Sequence, residues 1–306
     1  MKRDFISIAD WTTEELLQIL DLTKNMKEHP GKYSQALRGK SIAMIFEKQS
    51  LRTHVTFDVG IHQLGAHSVS LSQANISLGK RESVYDVAKN LERWVEGLVV
   101  RTYAHRTCLD FAKHMACPVI NALDDHEHPC QAMGDFFTIR EKFGGFKGKK
   151  LAWVGDGNNV CHSLMLMAAK VGMDFVAATP RGYEPNQLIF DVASTVARQS
   201  EGRIGIVQNP KEAVHDADVV YTDVWASMGQ EAEKEQRAQA FKHFQVNAEL
   251  MRLAKKSAVF MHCLPAHRGE EVTDEVVDSS QSVVFDEAEN RLHSQKAILY
   301  TLLKGE

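Results

Sequence analysis

Short β-rich runs alternate with longer segments of helical period along almost the whole chain. Nine runs read as strands: Ser41–Phe46, His67–Leu71, Gly97–Thr102 and Pro118–Ala122, then Lys150–Gly155, Asp174–Thr179, Arg203–Val207, Asp218–Thr222 and Ala258–Cys263. Parallel sheets covered by helices on both faces produce this alternation, so the chain is expected to be α/β, with two doubly wound parallel-sheet domains. Four strands fall early and five late. Between the sets a helical stretch, Cys130–Lys142, runs into Gly144-Gly145-Phe146-Lys147-Gly148-Lys149-Lys150, where glycines stop the helix and lysines keep the segment wet. The expected division is a first domain over 1–143, a second over 144–286, and a last segment, 287–306. That segment carries Leu292, Ile298, Leu299, Leu302 and Leu303, apolar enough to dock instead of fraying.

The length, 306 residues, exceeds what one compact core usually holds, in keeping with two domains. Thirty-six Lys and Arg against 40 Asp and Glu leave a net charge of -4 with no block of one sign, which argues against a broad nucleic-acid or anionic-membrane surface. No apolar run approaches the roughly 18 to 20 residues of a membrane helix, and the start, Met1-Lys2-Arg3-Asp4-Phe5, meets an acid before a hydrophobic stretch can develop. The chain is therefore expected to be cytoplasmic and untargeted. Its five cysteines, Cys108, Cys117, Cys130, Cys161 and Cys263, are sparse and form no C-x-x-C pair. Free thiols in a reducing compartment account for them.

Candidate chemistry gathers where strands end. After Phe46 comes Glu47-Lys48-Gln49-Ser50-Leu51-Arg52-Thr53, followed by a stretch from His54 in which Val55, Val59 and Phe57, Ile61, Leu64 recur at helical spacing. Two hydroxyls, unpaired first-turn N–H groups and the Arg52 fork form a socket for a phosphate. An ordinary Ser N-cap beside a surface arginine is the competing reading. Arg101 closes another run, and His128-Pro129-Cys130-Gln131 follows the fourth by a short acidic loop. Both reach the C-terminal edge of the same sheet, where ligands of open α/β sheets bind. Such a donor-rich pocket suits an anion that also carries a carbonyl and an amide.

These residues resemble the aspartate/ornithine carbamoyltransferase family, most closely its ornithine-specific branch. The resemblance runs through Phe46 to Thr53, Arg101, His128 to Gln131, Gly155-Asp156-Gly157-Asn158-Asn159, Asp223 with Ser227-Met228-Gly229, His262-Cys263-Leu264-Pro265, and Arg291. The family's usual Ser-Thr-Arg-Thr-Arg reads Ser50-Leu51-Arg52-Thr53-His54 here, which removes one hydroxyl and one guanidinium but keeps the Leu51 N–H. The resemblance implies carbamoyl phosphate on the first domain, an amine substrate on the second, the active site in the cleft between them, and a last helix returning to the first. It assigns Ser50, Leu51, Arg52 and Thr53 to the phosphate, and Thr53, Arg101 and His128 to the carbonyl oxygen. Gln131 and Arg291 help fix the carbamoyl end, the Leu264 carbonyl accepts from its NH₂, and Cys263, counted with the catalytic and carbamoyl-phosphate residues, borders the ornithine side chain near its reacting amine. Similar enzymes are homotrimers or multiples of trimers, and a neighbour's loop matching Asn75 to Arg81 would contribute Ser77.

Gly155 to Asn159, read alone, suggests a dinucleotide turn. Val160 replaces the third glycine of the G-x-G-x-x-G fingerprint and two asparagines crowd the pyrophosphate path. By resemblance Asn159 instead holds the α-carboxylate of L-ornithine and Asp223 its α-ammonium, with Ser227 and Met228 closing over it. Cys263 beside His262 invites a nucleophile reading. Adjacent strand residues point to opposite faces, so that pairing is disfavoured, and a buried structural cysteine is the competing view. The implied reaction is attack of the δ-amine on carbamoyl phosphate, giving L-citrulline without metal or organic cofactor. A transferase for putrescine, an acylated ornithine or aspartate, a nucleotide-dependent oxidoreductase, and an inactive homologue are the rivals.

Overall fold

The computed structural model describes residues 2–72, 78, 82–226 and 231–304, so Ser77, Ser227 and Met228 lie outside the described residues. The chain forms two compact units, Met1–Phe137 with Glu289–Glu306, and Thr138–Ala288.

The first unit holds β1 (Ser41–Phe46), β2 (His67–Ser72), β3 (Gly97–Arg101) and β4 (Val119–Leu123). They form one parallel sheet in the order β2-β1-β3-β4. Beyond β4 the start of the chain adds a rung: the Phe5 N–H donates to the Val119 carbonyl and the Asn121 N–H to the Phe5 carbonyl, at 2.9 and 2.8 Å. β3 and β4 are buried along their whole length, as parallel strands clothed on both faces must be. Ala43, Ile45, Leu98 and Val100 pack there with Phe111. The helices are α1 (Thr13–Glu28), α2 (Leu51–Gln63), α3 (Val84–Leu91), α4 (His105–His114) and α5 (Pro129–Phe143).

The second unit repeats the plan with five parallel strands, β5 (Lys150–Val154), β6 (Asp174–Ala178), β7 (Ile204–Val207), β8 (Val219–Thr222) and β9 (Val259–Met261), ordered β7-β6-β5-β8-β9. Its helices are α6 (Asn159–Val171), α7 (Gln187–Ser200), α8 (Pro210–Val214), α9 (Lys234–Phe241), α10 (Ala248–Met251) and α11 (Asp274–Val277). The last helix, α12 (Val284–Leu303), begins in this unit and ends in the first, as the division at Ala288 requires.

The strand order fixes where each unit can bind a ligand. In the first sheet it reverses between β1 and β3, and in the second between β5 and β8. Loops leaving the two strands diverge there and open a crevice at the carboxyl edge. β1 leads into Glu47 to Thr53 and β3 ends on Arg101; β5 leads into Gly155 to Asn159 and β8 into Asp223.

Most strand ends lie within a residue of their expected places, and three boundaries that bear on the site move. Helix α2 starts at Leu51, three residues before His54, because Ser50 caps it: the Ser50 hydroxyl oxygen accepts from the Thr53 N–H at 3.2 Å. Helix α12 starts at Val284 instead of Glu287. Strand β9 stops at Met261, because the His262 N–H leaves the ladder to donate to Glu287 Oε2 at 3.0 Å. His262 and Cys263 therefore lie past the strand, and strand alternation cannot be what separates their side chains.

Candidate active site

In the first unit, residues from three distant parts of the chain meet. Arg291 on α12 donates from Nη2 to the Thr53 hydroxyl at 2.8 Å and from Nη1 to Gln131 Oε1. Gln131 in turn donates from Nε2 to Asp135 Oδ1 at 2.7 Å, which fixes the amide with its oxygen toward the arginine. Thr53, Arg101, His128, Gln131 and Arg291 are all buried. Burial pushes the His128 imidazole well below its usual range, and the positive charges of Arg291 and Arg101 push it further. The uncharged imidazole, with a single ring N–H, is thereby favoured over the cation. Burial, then Arg101, also lowers the Lys48 ammonium. Gathering cations in a poorly hydrated crevice is costly unless an anion completes the set.

The helix-cap reading of Ser50 and the phosphate reading of its segment are compatible. The cap uses the Ser50 oxygen, while Leu51 and Arg52 present first-turn N–H groups and the Leu51 side chain is 74% exposed. His54 turns to β2 instead: its Nε2 meets Ser70 Oγ at 2.7 Å and its ring packs edge-on to Phe46.

In the second unit Asp223 is buried at the end of β8. Asn158 Nδ2 donates to its Oδ2 at 2.8 Å, and Cys263 Sγ to its Oδ1 at 3.1 Å. Asn158 also caps α6, its Oδ1 accepting from Val160 and Cys161 N–H. The Asn159 amide oxygen accepts from Val160 N–H at 3.0 Å. Neighbouring Asp156 is paired to buried Arg237 at 3.0 Å, and burial holds its carboxyl up at about 6. Gly157 is needed for close approach: a β-carbon there would lie 2.2 Å from the Pro185 nitrogen. The glycine accommodates this chain's own backbone, an ordinary reason for glycine that owes nothing to a dinucleotide.

The thiol is not wired to the histidine beside it. The Leu264 N–H donates to His262 Nδ1 at 2.9 Å, so the ring proton lies on Nε2 and points at Glu271 Oε1, 3.1 Å away. His262 thus holds Leu264 in its left-handed turn, φ 58°, and Cys263 is left facing Asp223. Asp223, His262 and Cys263 lie within 4.8 Å of one another as possible ligand atoms, and hydrogen bonds already engage both His262 nitrogens.

Residues 3–141 match the aspartate/ornithine carbamoyltransferase family's carbamoyl-P binding domain, and residues 147–302 its Asp/Orn binding domain. The chain belongs to the aspartate/ornithine carbamoyltransferase family. It is 52% identical to an ornithine carbamoyltransferase of Pyrococcus horikoshii, across 99% of this chain and 96% of that one. A Carboxydothermus hydrogenoformans ornithine carbamoyltransferase is also 52% identical, across 99% and 98%. Among solved structures, ornithine carbamoyltransferase from Pyrococcus furiosus superposes with a TM-score of 0.97 at 50% identity, covering 99% of this chain and 98% of the other. That from Thermus thermophilus gives 0.89 at 44%, covering 99% and 100%.

Within this carbamoyltransferase fold, sequence segment and spatial unit part company over residues 138–141 and 289–302, and one residue of these bears on the site. Arg291 lies in the stretch matched to the Asp/Orn binding domain, yet it sits in the first unit on Thr53 and Gln131. Sequence reasoning assigned no positioning role to Asn158, Asp135 or Glu271. Asp135 carried a signal, since Gln and Asp four apart on a helix are natural partners. Asn158 stood directly before a helix as an evident cap. Glu271 had none, because it reaches His262 only through the folded turn.

Proposed function

We propose that this protein transfers the carbamoyl group of carbamoyl phosphate to the δ-amine of L-ornithine, giving L-citrulline and phosphate. The observation that carries the reading is the Thr53–Arg291–Gln131 contact at the first sheet's reversal, with Arg101 and His128 also buried there. The reaction needs an anion grip and a polarised carbonyl, and this donor set supplies both. Ser50, the Leu51 N–H, Arg52 and Thr53 hold the phosphate. Thr53, Arg101 and His128 donate to the carbonyl oxygen as it gains charge, where losing one donor typically costs ~10²–10³ in rate. The Thr53 oxygen already accepts from Arg291, so its proton is left to give. Gln131 and Arg291 fix the carbamoyl group, whose NH₂ donates to the Leu264 carbonyl.

Asp223 takes the α-ammonium of ornithine and Asn159 its α-carboxylate, with Ser227 and Met228 over the amino acid and Cys263 along its side chain. The Asn158 and Cys263 bonds to Asp223 support this, because they hold the carboxylate in place before substrate arrives. The attacking amine must be neutral. Its pKa is roughly that of lysine, about 10, so turnover at limiting ornithine rises as the pH climbs from neutrality. The leaving phosphate accepts the proton, and no side chain is assigned as base or covalent nucleophile.

A homotrimer with Ser77 contributed by a neighbour completes the reading. Exposed Leu51, Val55 and Val59 along one face of α2 support an assembly there. The five free cysteines suit a reducing cytoplasm, and among the described residues no helix is long and apolar enough to cross a membrane.

One assay tests the proposal: purified protein with carbamoyl phosphate and L-ornithine, putrescine, N-acetylornithine or L-aspartate, scored for ureido product. L-ornithine is expected to react best. Turnover of putrescine alone would overturn the substrate, and none at all the activity.

A further inference from the structure

The acidic loop between β4 and His128, Asp124-Asp125-His126-Glu127, has no part in the chemistry above, yet it is densely bonded. Asp124 is fully buried. Its Oδ1 accepts the N–H groups of His126 and Glu127, each at 2.8 Å. Its Oδ2 accepts from Asn121 Nδ2 at 2.9 Å and lies 2.6 Å from His105 Nδ1. Asp125 Oδ1 accepts the His105 N–H at 2.7 Å, and the rings of His105 and His126 stack at 4.7 Å. On the other side Glu127 accepts from the Ser7 hydroxyl and the Ile8 N–H.

His105 opens α4, four residues after Arg101, and Asp124 stands four residues before His128. The last β3–β4 pairing is irregular, with Arg101 opposite Leu123 after a register shift at Val100/Arg101. Beyond that bulge, where the regular ladder no longer sets the relative position of the two strands, Thr102 N–H to Leu123 O and the His105 bonds take over.

We infer that Asp124 and His105 are a positioning pair, clamping the loop that follows Arg101 to the loop that precedes His128 so that both donors meet one carbonyl oxygen. The inference rests on the reading of Arg101 and His128 as those donors. A misplacement of about 1 Å in such a constellation can cost about a hundredfold in rate. The clamp acts on the carbonyl end alone, so it bears on kcat and not on the grip for ornithine.

His105 is the member to change, because its ring is partly exposed and its loss opens no core cavity. Wild type, His105→Ala, His105→Asn and Arg101→Ala are compared at pH 8.5 for kcat, for ornithine KM and for folded content by circular dichroism. His105→Ala is expected to lose at least about tenfold in kcat, with ornithine KM and folded content unchanged. His105→Asn, whose amide N–H replaces the ring donor, is expected to recover most of that loss. Unchanged kcat in His105→Ala, no recovery in His105→Asn, or a kcat loss matched by loss of folded protein would overturn the pair. Full turnover by Arg101→Ala would instead remove the donor assignment beneath it.

Discussion

A β-carbon at Gly134 would stand 3.1 Å from Arg291 Cδ and 3.4 Å from the Arg291 backbone nitrogen. Glycine inside a helix is less favourable than alanine by about 1 kcal/mol, so this position is set by the passage of α12, whose arginine must lie close enough to reach both Thr53 and Gln131. Gly134→Ala tests which requirement dominates. The helix gains intrinsic stability while the arginine shifts by a few tenths of an ångström. Folding free energy from urea titration is expected to stay within about 1 kcal/mol of wild type. The KM for carbamoyl phosphate should rise by about tenfold, and an unchanged value would show that Arg291 has room to spare. His128 belongs to the same scale: burial and then the charges of Arg291 and Arg101 push its imidazole down, and no motif announces that.

Between elements, the approach of the β5–α6 turn to the segment after β6 depends on Gly157. A side chain there meets the Pro185 nitrogen and the Glu184 carbonyl carbon, at 2.2 and 2.4 Å, which are backbone atoms and cannot swing aside. Gly157→Ala must move the turn that carries Asn158 and Asn159. Ornithine KM is expected to rise more than about tenfold while carbamoyl phosphate KM holds; equal change in both would mean general unfolding. The His105–Asp124 link between α4 and the β4 loop carries a pH signature. The bond to Asp124 raises the His105 pKa against partial burial, with Glu127 and Asp125 adding to it and His126 stacked across the ring. A pKa raised on folding adds stability that is complete below the unfolded value, 6.5, and fades as pH climbs through the folded one. In thermal melts His105→Asn should therefore lie furthest below wild type at pH 6 and converge with it by pH 9.

At the scale of the whole molecule, the face of α2 bearing Val55 and Val59 is apolar and exposed in a single chain. Val55→Asp places a charge there and leaves the α2 first turn alone. For the homotrimer proposed above, it should reduce the mass found by light scattering to that of a monomer; a trimeric mass in the variant would move the interface elsewhere. The sequence by itself determined the α/β class, both sets of strands, and the strand-end residues Arg101 and His128. These depend on periodicity, on local turn chemistry, and on the rule that ligands gather at carboxyl edges. It determined the family as well, through short motifs in order. Only the tertiary structure decided that Arg291 bonds Thr53 and Gln131, that Asn158 grips Asp223, that His262 answers to Glu271 and Leu264, and that an acidic loop braces His105. Thr53 and Arg291 are 238 residues apart, and Asn158 and Asp223 are 65 apart. What joins such pairs is the order in which parallel strands are laid down and where the last helix returns, and these are properties of packing that no local window of sequence contains.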